Sequence, residues 1–598
     1  MGAAGTTAGA GQRTYPPQRW VVEPAQPHES EELAAAAHIP QALAELLVKR
    51  GITSAKDAHA FLYPDASHLH DPLAMKGMNV AVERLERAIA AHEPILLYGD
   101  YDVDGTTAVV LLKTAIEMLG GVVSFHVPHR IREGYGMQAG VLEAAYASGV
   151  RLVITVDTGM RAFAEAEAAR RIGLDLIITD HHLPSADEAV PDALAILNPN
   201  QPGCTYPEKS LCGAAIALKL AQALLERRDV TRAREKTLPS FLKIAAIATI
   251  ADAVPLRGEN RTIAALGLSE LRKPVGTGLR ALFQVAALDP GNKPITGFDV
   301  AFRLAPRINA AGRMDVASEI VELFCTRDAD RAQELAMKLE TLNRQRRDAE
   351  ANALAIIGTR MQDDADFAAD RLLVVDGVGW HRGVIGILAS RVVERTAKPA
   401  IVISVEDGIA HGSGRSIDGF PLLEAIETCS DLFTRFGGHA FAVGFAMPAT
   451  GLAELRRRLN VYAMARLAGT EPEQVLKIHA ELPLDRITPV LVGWLRKLEP
   501  LGHGNPEPIF VARRVRLVSA PRVMKDRHIR LELIQDAASG AGPTGVMRCV
   551  GWDWAGRCVA MLLAAGSLVD VAYRIRENDH PEYGGIEIEI AGLQPTGA

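Results

Sequence analysis

The most regular signal in the chain is the alternation of short, continuously apolar runs with segments of helical period between residues 79 and 198. NVAVERLERAIAAH reads as an amphipathic helix; the runs at 95–99, 122–127, 152–157, 175–180 and 193–198 read as strands, with helices predicted over 106–119, 138–148 and 161–172. Strands that are apolar on both faces and alternate with helices specify a parallel sheet covered on both sides. A helical pair at 213–228 and 241–251 follows. Residues 328–361 are rich in charge and free of Gly and Pro until Gly358, which predicts a long connecting helix. A second α/β pattern comes next, with strands at 372–377, 400–405 and 408–416, helices over 384–395 and 420–433, and an apolar stretch at 436–448. Beyond about 470 the pattern turns to short β segments separated by turn residues, which suits a small barrel such as an OB-fold, with a sandwich as the alternative.

A chain of 598 residues is too long for one core, since cores stop growing at about 250–300 residues. The expected order is a disordered tail (1–18), a helical preface (19–78), a parallel-sheet catalytic domain (79–327), the connecting helix (328–361), a second α/β domain (362–468) and a β-barrel (469–598). Composition is ordinary for a globular protein, with 48% hydrophobic and 23% charged residues. The formal charge of −7 means that any attraction for nucleic acid must come from local basic patches. Six cysteines without a CxxC spacing speak against a zinc knuckle or a disulfide framework and for a reducing, cytoplasmic location. There is no secretory h-region and no run of about 20 apolar residues, so no membrane association is expected.

Chemistry enters at the strand ends. The first strand runs into Asp100, Asp102 and Asp104, which on an extended chain would project to one side, and Gly105 follows where the helix is predicted to begin. Alone, DxDxDG is more often a solvated acidic turn or a calcium loop. The third strand ends at Asp157 and the fourth at Asp180-His181-His182, and ligands of parallel sheets bind outside the carboxyl ends of the strands. Asp252, after an apolar helix and before Pro255, is by itself a structural cap; beside the other clusters it becomes a fourth ligand candidate. Hard oxygen donors with one or two histidines suit Mn²⁺ or Mg²⁺ better than zinc. Two such ions would clamp the attacking and leaving oxygens of an in-line displacement at phosphorus, so phosphoester or phosphoanhydride hydrolysis is the natural chemistry. Asp157, on a central strand, is placed to bridge two ions; His181 is the expected ligand, His182 a proton donor or charge stabiliser, and Asp180 the carboxylate that orients a histidine.

GDYDVDG, VDTG, TDHH and IADAVPL, in this order, resemble the four metal motifs of the DHH phosphoesterase superfamily. RINAAGRM (307–314), GSGRS (412–416) and FGGHAFAVGFA (436–446) resemble later motifs of its RecJ branch, the single-stranded-DNA-specific exonucleases, with their DHH-associated domain. PLGHGNPEPIF (500–510) and the β-rich tail resemble the OB-fold of that branch. The resemblance implies metal ligation by Asp102, Asp104, Asp157, His181 and Asp252, with Asp100 a supporting carboxylate, and it places a phosphate contact at Arg130. Arg307, Arg313 and Arg415 can fork onto phosphate, Ser413 and Ser416 can donate to it, and Gly437 and Gly438 allow close backbone approach; Asn309 and His439 stand in the same motifs. For each arginine an ordinary ion pair is the alternative, and for Asn309 and His439 a structural role. In the barrel, Arg513, Arg514, Arg516, Lys525, Arg527, His528 and Arg530 supply local base, and Trp494, Trp552 and Trp554 are stacking candidates.

The resemblance implies a 5′→3′ exonuclease that degrades single-stranded DNA to mononucleotides in repair and recombination, with a helicase and a single-strand-binding protein as partners. Two alternatives are a DHH hydrolase of short oligoribonucleotides or small cyclic or phosphorylated nucleotides, and a non-catalytic replisome scaffold. The first would be shorter, and the second would have damaged metal motifs.

Overall fold

The computed structural model describes residues 18–596 apart from 131, 135, 186–188, 274, 315–316, 470–472, 537–544, 579 and 581–583. The expected disordered tail therefore lies, except for Gln18, outside the described residues. The chain forms two compact units: Ala55–Arg346 together with Lys497–Pro506, and the remainder.

The first unit is built on a five-stranded sheet of β1 (Ile95–Tyr98), β2 (Val123–His126), β3 (Leu152–Val156), β4 (Asp175–Thr179) and β5 (Ala195–Leu197), in the order β2-β1-β3-β4-β5, with every neighbouring pair parallel. Side chains alternate between two cores. Ile95, Leu97, Leu152, Ile154, Val156 and Ile177 enter one, and Leu96, Tyr98, Val153, Leu176 and Ile178 enter the other. This double burial explains why the strands read as continuous apolar runs. The connection from β1 goes to β2 on one side, while β3 lies on the other, so the strand order reverses at β1/β3 and opens a crevice at their carboxyl ends.

Around the sheet lie α1 (Met78–Ala90), α2 (Val103–Met118), α3 (Gly213–Arg228), α4 (Leu238–Ala251), α5 (Gly258–Glu270) and α6 (Ala305–Met314). The connecting helix is a single element, α7 (Ala329–Asp363), and the division between the two units falls within it. Helix α2 begins three residues earlier than the periodicity predicts, so Gly105 lies inside its first turn. Gly105 is there for close approach: a Cβ at this position would stand 2.6 Å from the Asp100 backbone nitrogen and 2.7 Å from its Cα.

The second unit holds a mixed sheet of β6 (Leu373–Val378), β7 (Ala400–Glu406), β8 (Ile409–Arg415), β9 (Arg435–His439) and β10 (Ala442–Pro448), in the order β9-β10-β8-β7-β6. Only β6–β7 is parallel, and the apolar stretch at 436–448 resolves into the β9–β10 hairpin. Helix α8 (Ile385–Thr396) connects β6 and β7.

The C-terminal strands close a barrel, not a sandwich. After β11 (Gln474–Ile478) and β12 (Ala480–Glu481), strands β13 (Phe510–Leu517), β15 (His528–Ile534), β16 (Met547–Gly551), β17 (Leu568–Asn578) and β18 (Gly585–Pro595) pair in the ring β13-β17-β18-β16-β15, and β15 returns to β13. A short β14 (Arg522–Met524) pairs with β15.

Two findings depart from the expected organisation. The preface contains helices Pro27–Ala37, Gln41–Lys49 and Ala55–Leu62, but it starts with a strand, Gln18–Val22, that runs parallel to β11. Residues 497–506, within the segment assigned to the barrel, belong to the first unit.

Gly105→Ala is expected to destabilise the protein by about 1–3 kcal/mol, because the methyl group would overpack against backbone. Chemical denaturation checks this, and an unchanged midpoint would contradict the close approach of α2 to the end of β1.

Candidate metal centre

The crevice gathers the acids from four elements. Asp100 follows β1, and Asp102 caps α2, its Oδ1 accepting the Gly105 N–H at 3.0 Å. Asp104 lies in the first turn of α2 and not on an extended chain, which corrects the alternation picture of the three acids. Its two oxygens accept the Gly213 and Ala214 N–H groups at 2.6 and 2.8 Å, so the carboxylate sits on the positive end of α3. Asp157 follows β3 in the left-handed region, at φ 60°, which is costly for a residue with a Cβ. Gly213 faces it so closely that a Cβ there would lie 2.6 Å from the Asp157 Cβ. His181 and His182 follow β4, and Asp252 caps the end of α4.

These groups converge. His181 Nε2 is 3.2 Å from Asp157 Oδ1 and 3.9 Å from both Asp104 Oδ2 and Asp252 Oδ2. One ligand atom from each of Asp104, His181 and Asp252 lies within 4.8 Å of the others; the same holds for Asp100, Asp102 and Asp157, and for Asp157, His181 and His182. His182 Nδ1 is 2.7 Å from Asp180 Oδ1, and the other Asp180 oxygen accepts the Met160 N–H at 2.8 Å. Asp180 thus orients His182, not the ligand candidate His181.

The electrostatics are those of a cation site. Burial and the neighbouring Asp102 push the Asp100 carboxyl up to about 7, and burial with Asp104 pushes Asp252 up to about 8. Burial and the acids around them also raise Asp102 and, much further, Asp157. Burial holds His181 below the ordinary imidazole value, which keeps its lone pair available. His182 is raised: burial opposes its charge, but the Asp180 hydrogen bond wins, and Asp180 is correspondingly lowered against its own burial. Asp100 Oδ1 and Asp157 Oδ1 are buried without a hydrogen-bond partner. Buried carboxylate oxygens left unpaired, among oxygen donors and a neutral imidazole, fit a hard divalent cation.

The residues expected to hold phosphate divide. Arg130 stacks over the Tyr101 ring at 4.9 Å and lies near enough to Asp100 to oppose the rise of its pKa. Arg313, on α6, is brought down to about 10 by burial and by the like charges of Arg130 and Arg346, so these cations form one cluster beside the acids. Arg307 does not join them. Its Nε is 2.6 Å from Glu340 Oε2 on α7 and its Nη2 donates to the Val285 carbonyl at 3.4 Å, an ion pair that ties helices together. The Asn309 side chain is also engaged, its Oδ1 accepting the Val103 N–H at 3.2 Å at the start of α2.

In the second unit, Arg415 Nη1 donates to Ser413 Oγ at 3.2 Å, and both face the start of α8, where a Cβ on Gly386 would stand 3.2 Å from each. The Ser416 hydroxyl is turned to the Phe420 carbonyl at 2.5 Å. Gly437, Gly438 and His439 lie on the exposed strand β9. Gly438 is required by the hairpin, since a Cβ would meet the Ala442 carbonyl oxygen at 2.2 Å, and His439 Nδ1 accepts the Phe441 N–H at 3.3 Å. On the barrel, Arg513, Arg516 and Arg527 pair with Asp570, Asp536 and Asp553. Lys525, His528, Arg530 and exposed Trp552 share one concavity with Glu577, Glu587 and Glu589, while Trp554 is buried.

Several contributors carried no motif. Asn198 and Asn200, after β5, hold the carbonyls of His182 and His181 at 2.8 and 3.2 Å, and the Thr179 hydroxyl donates to the Thr155 carbonyl at 2.8 Å. Polar residues ending apolar strands are the signal that would have found them.

The fold and site define a class: residues 94–249 match the DHH family N-terminal domain, 369–465 the DHHA1 domain and 478–591 the RecJ OB domain. A single-stranded-DNA-specific exonuclease RecJ from Dickeya dadantii is 33% identical over 93% of this chain and 96% of its own length. The RecJ of Bacillus subtilis is 36% identical over 90% of this chain, which spans 66% of that protein. The crystal structure of RecJ from Thermus thermophilus in complex with Mn²⁺ superposes with a TM-score of 0.80 at 29% identity, covering 97% of this chain and 80% of that one. The chain belongs to the RecJ family. A Mg²⁺ complex of the Thermus protein is also known, with a TM-score of 0.75. Among the described residues no helix is long and apolar enough to cross a membrane.

The raised carboxyls fix a pH dependence. Without metal the folded chain binds more protons than the unfolded chain, so the stability from Asp100 and Asp252 is complete below the ordinary carboxylate range and is lost as pH rises through about 7 and 8. Mn²⁺ replaces those protons and stabilises the fold more at pH 8 than at pH 6. The difference in Tm between samples with Mn²⁺ and with chelator is expected to widen over that interval; a constant or narrowing difference would contradict the carboxylate assignment.

Proposed function

We propose that the chain is a metal-dependent exonuclease that hydrolyses single-stranded DNA from the 5′ end to mononucleotides. The observation that carries this reading is the convergence of Asp100, Asp102, Asp104, Asp157, Asp252 and His181 on one crevice, with buried carboxylate oxygens that lack a hydrogen-bond partner and suit a cation. Asp102, Asp104, Asp157, His181 and Asp252 would hold two Mn²⁺ or Mg²⁺ ions, with Asp100 supporting. When bound, such a pair supplies Lewis-acid stabilisation to the attacking and leaving oxygens at phosphorus.

The remaining steps fall to side chains. Asp180 fixes the His182 ring and favours its charged form, so His182 is poised to place a proton on the leaving oxygen. Arg130 and Arg313 offset phosphate charge at the edge of the acids, and Arg415 and Ser413 supply donors in the second unit. Lys525, His528, Arg530 and Trp552 offer the barrel's combination of base and stacking surface. A small nucleotide would need no such barrel, which favours a polymer over the small-substrate alternative. The reading extends to DNA repair and recombination in the cytoplasm, alongside a helicase that exposes single strands and a single-strand-binding protein that covers them.

End-labelled single-stranded DNA, duplex and RNA, offered with Mn²⁺, Mg²⁺ or chelator, test the proposal. Labelled mononucleotide is expected first from the 5′ end of single strands, and release from the 3′ end or preference for duplex would overturn it. Asp157→Ala should lose on the order of 10³-fold in rate, the equivalent of about 4 kcal/mol of transition-state stabilisation. Asp104→Asn should cost more than Asp100→Asn, because Asp104 both faces His181 and anchors α3; equal losses would refute that division.

A further inference from the structure

The segment Lys497–Pro506 enters and leaves from the second unit in sequence but packs within the first. Its anchor is Arg261 on α5, only 2% exposed. The guanidinium donates to the carbonyls of Lys497, Leu498 and Glu499 at 2.9, 2.9 and 2.8 Å and to that of Phe61 at 2.8 Å. The buried Asn505 amide donates to the Leu498 and Pro500 carbonyls, and Gly502 and Asn505 exchange backbone hydrogen bonds that close a tight turn.

The turn delivers His503 to the residues immediately after Asp252. His503 Nδ1 lies 2.6 Å from the Ala253 carbonyl oxygen; a carbonyl only accepts, so Nδ1 carries the proton. The Leu256 N–H donates to the His503 carbonyl at 2.7 Å, and Arg257 Nε to the Gly504 carbonyl at 2.8 Å. The approach leaves no room for side chains: a Cβ on Gly502 would be 2.8 Å from Leu256 Cδ1, and one on Gly504 would be 2.9 Å from Pro255 Cβ.

Ala253 is in the left-handed region, at φ 56°, one residue past the Asp252 cap of α4, where glycine is the usual occupant. Alanine disfavours that conformation, so contacts from outside the helix help to hold the turn that aims Asp252. The strap holds it at both ends, through the Ala253 carbonyl and the Leu256 N–H.

We propose that His503 is a positioning residue for Asp252, and through it for the divalent cation held by Asp104, His181 and Asp252. This rests on the assignment of Asp252 as a ligand made above. His503 itself touches Ala253 and not the ligand atoms, and the effect is on where the carboxylate points.

The test is calorimetric titration of Mn²⁺ into the metal-stripped full chain, with Tm measured in chelator. His503→Asn keeps an amide N–H where Nδ1–H stands, while His503→Gln displaces it by one methylene and His503→Ala removes it. Mn²⁺ binding is expected to weaken about tenfold in the Ala and Gln variants and to stay within about twofold in the Asn variant, with Tm in chelator nearly unchanged throughout. If the Ala variant folds poorly, the Asn and Gln pair decides. Equal losses in Asn and Gln, or losses that simply follow a falling Tm in chelator, would overturn the proposal. Asp252→Ala separates the two readings: unchanged Mn²⁺ binding there removes the ligand assignment, whereas binding lost there and intact in His503→Ala removes only the role of the strap.

Discussion

Five carboxylates and an imidazole are forced into one largely buried crevice, and the first unit is arranged around the repulsion that results. Two carboxylates at about 4 Å repel by about 4 kcal/mol at the effective dielectric of a protein interior, so several such pairs approach the whole stability of a domain. The chain offsets this locally. Asp104 rests on two N–H groups of α3, Asp102 on one of α2, and Arg130 and Arg313 stand beside the group. What remains is absorbed as raised pKa values. A divalent cation supplies the positive charge that offsets the repulsion among the carboxylates, which is the physical content of calling the crevice a metal centre.

The same economy explains how a chain of net charge −7 can handle a polyanion. Its cations are placed, not plentiful. Many arginines that look available in the sequence are engaged by neighbours: Arg307 by Glu340, Arg513 by Asp570, Arg527 by Asp553. Arg130, Arg313 and Arg346 lie close enough together for each to feel the others' charge beside the acids.

How far the sequence could be read follows the range of the interactions involved. Strands β1 to β5 were legible because burial on both faces writes an apolar run into each one, and the metal acids were legible because a parallel sheet places its strand ends together. The start of α2 was not, since Asp102 caps a turn whose closeness to β1 depends on Gly105 touching the Asp100 backbone. The strand at 18–22 was missed because its partner lies at 474–478, and no local periodicity records a pairing over that separation. Arg307 and Asn309 sit in a motif rich in phosphate-binding residue types, but their partners come from α7 and α2, contacts that sequence spacing does not encode.

Support for the individual ligands is uneven, and the unevenness has a structural cause. Asp157 and the Asp180-His181-His182 group leave strands whose ladders fix the backbone up to the last residue, and Thr179, Asn198 and Asn200 tie those ends to each other. Asp252 leaves a helix instead. The end of a helix carries unpaired carbonyls and no neighbouring strand to set its register, and here it continues into a left-handed alanine. A ligand in that position needs a tether from another part of the chain. The segment at 497–506 has the properties of one: a buried arginine to fix it, glycines that permit contact, and two hydrogen bonds that bracket the turn. Both ends of that segment run directly into the barrel-bearing unit, so the candidate ligand at the end of a helix is braced by residues some 250 positions away in sequence.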